Sequence, residues 1–320
     1  MPLSEFELIQ QFFTNSSICR TDVALGVGDD CAVLKVPTGK ELVVSIDTLV
    51  EGIHFLKDLD PELLGHKSLA VNLSDLAAMG AEPAWATLAL TLPSVDENWL
   101  EGFCRGFARL AAAHNVQLIG GDTTRGPLNI SIQAHGFVDT GAALRRDRAQ
   151  LGDLIYVTGT LGDAGLALHS SEDMNVPAYI QSRLDCPSPR LKEGQALVGL
   201  ANAAIDISDG LISDLGHICD VSGVGATIYI EDLPCSQAVH DYIKVSDDWS
   251  LPLSAGDDYE LCFTISPDKQ AKVEQLAKDF ECGLTKIGRI EPTPGIRCVA
   301  ANGQQLKQLA PGYEHFSPEG

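Results

Sequence analysis

The sequence predicts two domains of the mixed α/β (α+β) class, each with helices packed on a mixed sheet. Three observations predict it. The chain has 320 residues, long for one hydrophobic core and comfortable for two. β-rich runs alternate with capped helical stretches in both halves. Between Asp139 and Leu151 the pattern breaks into Gly, Ala, Arg and Asp. That break reads as a linker over 141–150, between domains at 1–140 and 151–320.

The elements follow in order. Ser4-Glu5-Phe6-Glu7 has capping-box spacing and opens a helix. "CAVLKV" and "ELVVSID", separated by Pro37-Thr38-Gly39-Lys40, read as a hairpin. Asp60 reads as an N-cap with Pro61 at the first helical position, and Gly80 as the end of that helix. "WATLALTL" is a strand. Ser94-Val95-Asp96-Glu97 is a second capping box, opening a helix that lasts to about His114. "VQLIGG" and "LNISIQAHGFV" are further strands.

The second half restarts with "DLIYVTG" as a strand. "SPRLKEGQALVGLANAA" reads as a helix, "AIDIS" as a strand, "GLISDLGHICD" as a helix and "ELCFTI" as a strand. "SPDKQAKVEQLAKDF" is a helix with a polar face. Hairpin strands mixed with helices, rather than strict βαβ winding, are expected in both halves.

Composition narrows the function. Hydrophobic residues make up 45%, as in soluble globular proteins, and the net charge is −22. Such a surface repels nucleic acid and anionic lipid, so neither is expected as a partner. Phosphorylated substrates remain compatible if divalent metals carry the neutralising charge. No apolar run approaches a membrane span, and "MPLSEFELIQQFF" has acids where an export signal carries lysines. Nine cysteines, scattered singly without a Cys-x-x-Cys pair, argue against zinc and against a disulfide framework. They point to a reducing, cytoplasmic location.

The chemistry lies in the acids. "GVGDD", "SIDT", "NLSDLAAMG", "GGDTT" and "DISDG" place Asp30, Asp47, Asp75, Asp122, Asp206 and Asp209 beside strand ends, Gly turns or a helix face. Ser68, Asn72 and Asp75 fall on one helical face with Leu and Ala opposite, so Asp75 is expected in a polar cleft. Each acid alone has an ordinary explanation. Asp30 suits a turn, Asp122 and Asp206 suit helix caps, and Asp75 suits a solvated face. Together they form a set of hard oxygen ligands without His or Cys, which suits magnesium. Several carboxylates holding several magnesium ions make a phosphate-handling site.

Standard nucleotide motifs are absent. There is no Gly-x-x-x-x-Gly-Lys-Ser/Thr loop, and "GVGDDC" lacks the third glycine of the dinucleotide fingerprint. There is no His-Arg-Asp or Asp-Phe-Gly pair and no Gly-x-Ser-x-Gly elbow. Any nucleotide is therefore held by a metal-dominated site. Basic residues are scarce, which singles out Arg146 in "LRRDR".

"GVGDDCAVL", "SIDTLVEGIHF", "HKSLAVNLSDLAAMGAEP", "LIGGDTTRGP", "YVTGTLGD", "IDISDGLISDLGHI" and "GDDYELCFTI" resemble, in this order, the motifs of thiamine-monophosphate kinases. That family belongs to an ATP-using superfamily with aminoimidazole ribonucleotide synthetase and selenophosphate synthetase. The resemblance runs from Glu5 to "GYEHF" near the C-terminus. It implies magnesium ligands at Asp30, Ser45, Asp47, Asp75, Asp122, Asp206 and Asp209, with Asp30, Asp75 and Asp209 as the catalytic members. It implies ATP binding by Gly121, Asp122, Arg146 and Ser208. It implies that His54, Asp257 and Phe316 hold thiamine monophosphate, with Asp257 standing where many relatives have Glu. Asp30 is then the metal ligand of its pair and Asp29 helps to set the turn.

The resemblance further implies a homodimer in which the N-terminal domains pair their sheets and the C-terminal domain completes each ATP cleft. The implied reaction moves the γ-phosphoryl of ATP directly, in line, onto thiamine monophosphate, giving thiamine diphosphate and ADP with several magnesium ions. Two readings compete. A sister enzyme would act on a purine precursor or on selenide; selenide chemistry calls for a reactive Cys or selenocysteine in a glycine-rich N-terminal segment, which "MPLSEFELIQQFF" lacks. A non-catalytic acidic metal binder would carry Asp-x-Asp-x-Asp-Gly loops, whereas here the acids spread over both halves.

Overall fold

Two larger sheets, with a two-stranded one beside them in sequence, organise the chain, in a computed structural model that describes residues 5–14, 18–170, 176–306, 312, 313 and 315. They belong to two units, Met1–Leu76 with Ala81–Ala143, and Ala77–Gly80 with Leu144–Gly320. Both units mix helices with a mixed sheet, as the sequence predicts.

The first unit opens with α1 (Glu5–Leu8), which continues as a π turn over Ile9–Phe13. Ser4, the expected cap, lies outside the described residues. The short strands β1 (Val23–Leu25) and β2 (Val33–Leu34) pair with each other. Then come β3 (Lys40–Val50), α2 (Pro61–Ala78), β4 (Glu82–Leu92), α3 (Glu97–Ala113), β5 (Gln117–Arg125) and β6 (Asn129–Asp139). The sheet order is β3-β6-β4-β5. Only β4 and β5 run parallel, and α3 makes the crossover between them.

The expected hairpin of "CAVLKV" with "ELVVSID" does not form. β2 has two residues and pairs with β1, whereas β3 pairs over its full length with β6, from Lys40 opposite Asp139 to Val50 opposite Asn129. An eleven-residue ladder outweighs what a two-residue strand offers, so the Pro37–Lys40 turn redirects the chain between ladders instead of closing a hairpin.

The helix ends follow local chemistry. Asp60 Oδ1 accepts from the Glu62 N–H at 2.7 Å ahead of Pro61, and Gly80 takes a left-handed φ of 68° after the helix. The cap of α3 is Asp96 rather than Ser94. Asp96 immediately precedes the helix, so its carboxylate reaches the N–H groups of Asn98 (3.0 Å) and Trp99 (3.2 Å); Ser94 stands two residues outside. The α2–α3 contact requires glycine. A Cβ at Gly65 would lie 2.0 Å from the Phe103 carbonyl oxygen, and one at Gly106 1.8 Å from that of Glu62. Around this contact Leu69, Leu73 and Leu76 of α2 and Leu100 and Phe103 of α3 are fully buried. Near β1 and β2, Trp85, Ile119 and Phe137 form a smaller cluster with Val23 and Leu34 packed against it.

The second unit contains β7 (Leu154–Thr158), α4 (Asp163–His169), α5 (Ala178–Asp185), α6 (Leu191–Leu197), β8 (Ala203–Asp206) and α7 (Leu211–Ser222). It continues with β9 (Gly225–Tyr229), α8 (Gln237–Ser246), α9 (Ser250–Ser254), β10 (Leu261–Ile265), α10 (Gln270–Leu276), β11 (Leu284–Glu291) and β12 (Gly295–Val299). The sheet order is β12-β9-β11-β7-β10-β8, antiparallel except for β12 with β9. Leu211, Leu215 and Ile218 of α7 bury against Ile155, Val157, Ile205 and Cys262 of the sheet. The expected helix over "SPRLKEGQALVGLANAA" shortens to α6. Gly199 takes a left-handed φ of 75°, and Ala203 and Ala204 are paired with Thr264 and Phe263 as the start of β8. Within 141–150, Arg145 and Arg146 have their carbonyls held, by the Ala204 N–H at 3.2 Å and by Ser222 Oγ at 3.0 Å. No helix among the described residues is long and apolar enough to cross a membrane.

Candidate active site

The first unit gathers predicted residues in two places. Asp30 and Asp122 line one cavity of about 480 Å³ with Gly28, Asp29, Gly120 and Gly121. Asp29 Oδ1 accepts from the Asp30 N–H at 2.8 Å, so Asp29 shapes the turn that presents Asp30. Gly121 is compelled by packing: a Cβ there would stand 1.9 Å from the Leu88 carbonyl oxygen. The same cavity has an apolar wall from Ile9, Phe13, Leu88 and Leu118. A wall of that kind beside carboxylates suits a ligand that is flat and apolar at one end and anionic, through a cation, at the other.

The second place is the junction of β3 with α2. Ser45 and Asp47 are two residues apart on β3 and share a face. The Ser45 hydroxyl donates to the Asp75 carboxylate, and the Asp47 N–H donates to Asn72 Oδ1 at 3.1 Å. Asn72 is fixed in turn by its amide on the Ser68 carbonyl (3.1 Å), and Ser68 by its hydroxyl on the Leu64 carbonyl (2.7 Å). The polar face expected on α2 therefore exists, with Ser68 and Asn72 buried as supports and Asp75 half-buried beside Ser45. Asp47 lies opposite Ile132, Ile132 opposite Leu88, and Leu88 opposite Gly121. Asp47 and Gly121 thus occupy one row across the sheet, three strand spacings or about 14 Å apart.

His54 follows β3 in a tight turn, where the Val50 N–H donates to its Nδ1 at 3.0 Å. A neutral His54 ring accepting there carries its proton on Nε2.

In the second unit the turn after β8 holds Ser208 and Asp209, with Asp206 buried at the strand's last position. Sequence reasoning missed the residue that shapes this turn. Asp214, one turn into α7 and 2% exposed, accepts at 3.1 Å from each of the Ser208, Asp209 and Gly210 N–H groups. Burial, with Asp209 beside it, pushes the Asp214 carboxyl up to about 7 against the pull of those three amides. The signal was an acid in the first turn of the helix that follows "SDG". Burial also raises Asp209, Asp257 adds to the rise, and His217, His315 and Arg146 offset part of it. The Asp209, Asp214 and His217 donor atoms lie within 4.8 Å of one another.

Arg146 sits on an exposed 3-10 turn, and its charge reaches Asp209. The Asp257 N–H donates to the Ser208 carbonyl at 2.8 Å, which joins "GDDYE" to the β8 turn. Phe316 lies outside the described residues. Glu260 was also missed. It is fully buried and accepts from Thr158 Oγ1 (2.6 Å), Arg183 Nη2 (2.6 Å) and both Nε (2.6 Å) and Nη2 (2.5 Å) of Arg190. Nothing local in the sequence signals that pairing.

Residues 28–138 match the family model of the AIR synthase related protein N-terminal domain, and residues 150–300 that of its C-terminal domain. The thiamine-monophosphate kinase of Escherichia coli (strain K12) is 48% identical over 323 residues, covering 99% of each chain. The chain belongs to the thiamine-monophosphate kinase family. The crystal structure of a thiamine-monophosphate kinase from Stenotrophomonas maltophilia K279a is 45% identical, with a TM-score of 0.86 over 96% of this chain and 99% of that one. AaThiL complexed with AMPPCP and TMP is 31% identical, with a TM-score of 0.76 over 99% of each chain.

The chain offers donors that fit magnesium. Asp30, Asp122, Ser45, Asp47 and Asp75 present only hard oxygens. In the second unit one Asp214 oxygen is committed to three amides, which makes Asp214 a support for the turn and leaves Asp206 and Asp209 as the predicted ligands.

Proposed function

We propose that the chain transfers the γ-phosphoryl of ATP to the phosphate of thiamine monophosphate, giving thiamine diphosphate and ADP. The observation that carries this reading is the Ser45–Asp75–Asp47 group set on a rigid β3–α2 junction, in a chain of this family over its whole length. Asp30, Ser45, Asp47, Asp75 and Asp122 of the first unit, and Asp206 and Asp209 of the second, would hold magnesium. When bound, the metal supplies the positive charge that two anionic reactants need in order to meet.

The chain's own residues bind and orient. Gly121 brings a backbone without side chain to the nucleotide, beside Asp122, with Ser208 and Arg146 as its further contacts. His54, Asp257 and Phe316 take the acceptor. Asp30, Asp75 and Asp209 stand at the reacting phosphates. A phosphate acceptor is already largely ionised at neutral pH, so no general base is required, and transfer is direct.

We also infer a homodimer. β3 is an edge strand whose outward residues Leu42, Val44 and Ile46 are 43%, 48% and 60% exposed, an apolar edge that a lone soluble unit would blunt. None of the nine cysteines is joined in a disulfide, which fits a cytoplasmic enzyme.

The test is ADP release with thiamine monophosphate, free thiamine and thiamine diphosphate as acceptors. Turnover is expected with the monophosphate alone; comparable turnover of free thiamine, or none with the monophosphate, overturns the reading. In the same preparation γ-labelled ATP without acceptor should leave the protein unlabelled, and light scattering should give twice the chain mass.

A further inference from the structure

Between α9 and β10 the chain makes an unusual strap. Gly256 has φ 75°, Asp257 φ 59° and Tyr259 φ 49°, so two residues with side chains occupy the left-handed region that favours glycine. Ordinary packing does not select this conformation, and it persists because its surroundings hold it. The Asp257 N–H donates to the Ser208 carbonyl and the Tyr259 N–H to the Ile207 carbonyl, each at 2.8 Å. The Ile207 N–H returns a bond to the Glu260 carbonyl at 2.8 Å. A Cβ on Gly256 would lie 2.5 Å from the Ser208 carbonyl oxygen, so the strap is pressed onto the β8 turn.

The side chains divide. Asp258 is buried and its carboxylate accepts from the Gly162 N–H at 2.9 and 3.2 Å. Asp257 is half-buried, and its Oδ1 accepts from the Tyr259 hydroxyl at 2.9 Å. Tyr259 is 9% exposed. Two left-handed residues bracketing Asp258 thus place a phenol and a carboxylate in contact, and the phenol's anchorage limits where that carboxylate can turn.

We propose that Tyr259 is a positioning residue for the acceptor. Its hydroxyl holds the Asp257 carboxylate in the one orientation that meets the cationic, amine-bearing rings of thiamine monophosphate. The inference rests on the reading of Asp257 as an acceptor contact. Asp has a short side chain with two rotatable bonds, so its reach is set by backbone placement and by whatever fixes the carboxylate plane. The strap supplies the first and Tyr259 the second. A phenol donating to a carboxylate is a charge-assisted bond, worth about ten-fold in an equilibrium that depends on it.

The experiment compares Tyr259→Phe, Asp257→Ala and the double variant with wild type. Initial rates are measured against thiamine monophosphate and against ATP, with a thermal melt of each protein. Tyr259→Phe keeps the ring in the core and gives up one hydrogen bond, so the melting temperature should fall by no more than about 2–4 °C and the KM for ATP should stay at its wild-type value. The KM for thiamine monophosphate should rise about ten-fold. The double variant should be no worse than Asp257→Ala, because Tyr259 acts through Asp257. A normal KM for the acceptor in Tyr259→Phe while Asp257→Ala raises it overturns the proposal. So do independent, additive effects, or a melting temperature lowered by more than that with both KM values disturbed alike, which would make Tyr259 a packing residue. If Asp257→Ala itself leaves that KM unchanged, the reading of Asp257 fails instead.

Discussion

Replacing Asp214 by alanine isolates the contribution of a residue that no ligand needs to touch. The change removes the acceptor of three successive N–H groups, at Ser208, Asp209 and Gly210. Gly210 is buried, so its amide is left without a partner, at a cost of about 1–3 kcal/mol. Ser208 and Asp209 are half-buried and can turn to water, so each loses only about 0.5–1.5 kcal/mol. Against this, the variant no longer buries a carboxyl group beside Asp209, which returns part of the loss. The net is about 3 kcal/mol, which for a unit of this size lowers the melting temperature by about 6–12 °C. Asp214→Asn keeps an oxygen for the three amides and removes a charge next to Asp209, so it should melt near wild type. Calorimetry of the three proteins without metal or nucleotide reads both outcomes, and ADP release reads the consequence. Asp214→Ala should lose activity even at temperatures where it is fully folded, since the turn carrying Ser208 and Asp209 is no longer fixed. The reasoning is wrong if Asp214→Ala melts within about 2 °C of wild type, the size of an ordinary surface change, or if Asp214→Asn melts as low as Asp214→Ala.

Three further outcomes are expected. Asp75→Asn keeps an acceptor for the Ser45 hydroxyl and removes one charge from the group with Asp47, so the metal-free protein should melt no lower than wild type. Activity should fall by orders of magnitude, and the melting shift on adding magnesium with an ATP analogue should shrink; a marked loss of metal-free stability would make Asp75 a structural residue. Glu260→Gln leaves Arg183 and Arg190, whose side chains are 18% and 16% exposed, without their shared buried charge, and should cost about 3–5 kcal/mol in urea unfolding. A cost below about 1 kcal/mol would show that water compensates the arginines. Burial raises the Asp22 carboxyl, but the hydrogen bonds and charge of Arg20 and the bond from the Trp85 ring N–H outweigh it and hold it below its ordinary value. A lowered pKa stabilises the fold above the ordinary carboxylate range and loses that contribution as pH falls through the lowered value. The stability gap between wild type and Asp22→Asn should therefore be constant from about pH 7 to pH 5 and close below about pH 4; a gap that widens in acid would contradict the assignment.

What the sequence reveals of this fold divides by the range of the interactions. α2, α3 and α7 are legible because their end signals and apolar faces are local, as are β4, a long apolar run, and β6, whose buried residues alternate. The β2–β3 hairpin is misread because pairing is decided elsewhere: the partner of β3 is β6, at the far end of the unit. The overlong helix through Ala203 is misread because alanine and glycine carry no period strong enough to place its end, which Gly199 and the β8–β10 ladder set. The strands β9, β11 and β12 are not marked by any apolar run of their own. In the site, the acids at strand ends stand out against apolar neighbours, and the structure pairs Asp30 with Asp122 in one cavity and Ser45 with Asp75 at one junction. Their supports do not stand out. Asn72 reads as one polar residue of a helix face, Asp214 as a first-turn acid and Tyr259 as a core aromatic, until tertiary contacts give each a partner.

The second unit also shows why two motifs far apart in sequence share one task. β8 and β10 are antiparallel neighbours, with Asp206 opposite Leu261. An antiparallel pair sets the end of one strand beside the beginning of the other. The residues that follow β8, Ile207 to Gly210, must therefore lie beside those that precede β10, Gly256 to Glu260, and the exchanged backbone bonds of Ile207 with Tyr259 and Glu260, and of Ser208 with Asp257, continue the pairing past the last ladder residue. Asp214 fixes one side of this extension from within α7, and Arg183, Arg190 and Thr158 fix the other through Glu260. Asp257 is then close enough for its charge to be felt at Asp209, where it contributes to the raised carboxyl. A residue proposed to hold metal and one proposed to hold the acceptor are thus carried by a single hydrogen-bonded corner, and a displacement of either strand end displaces both.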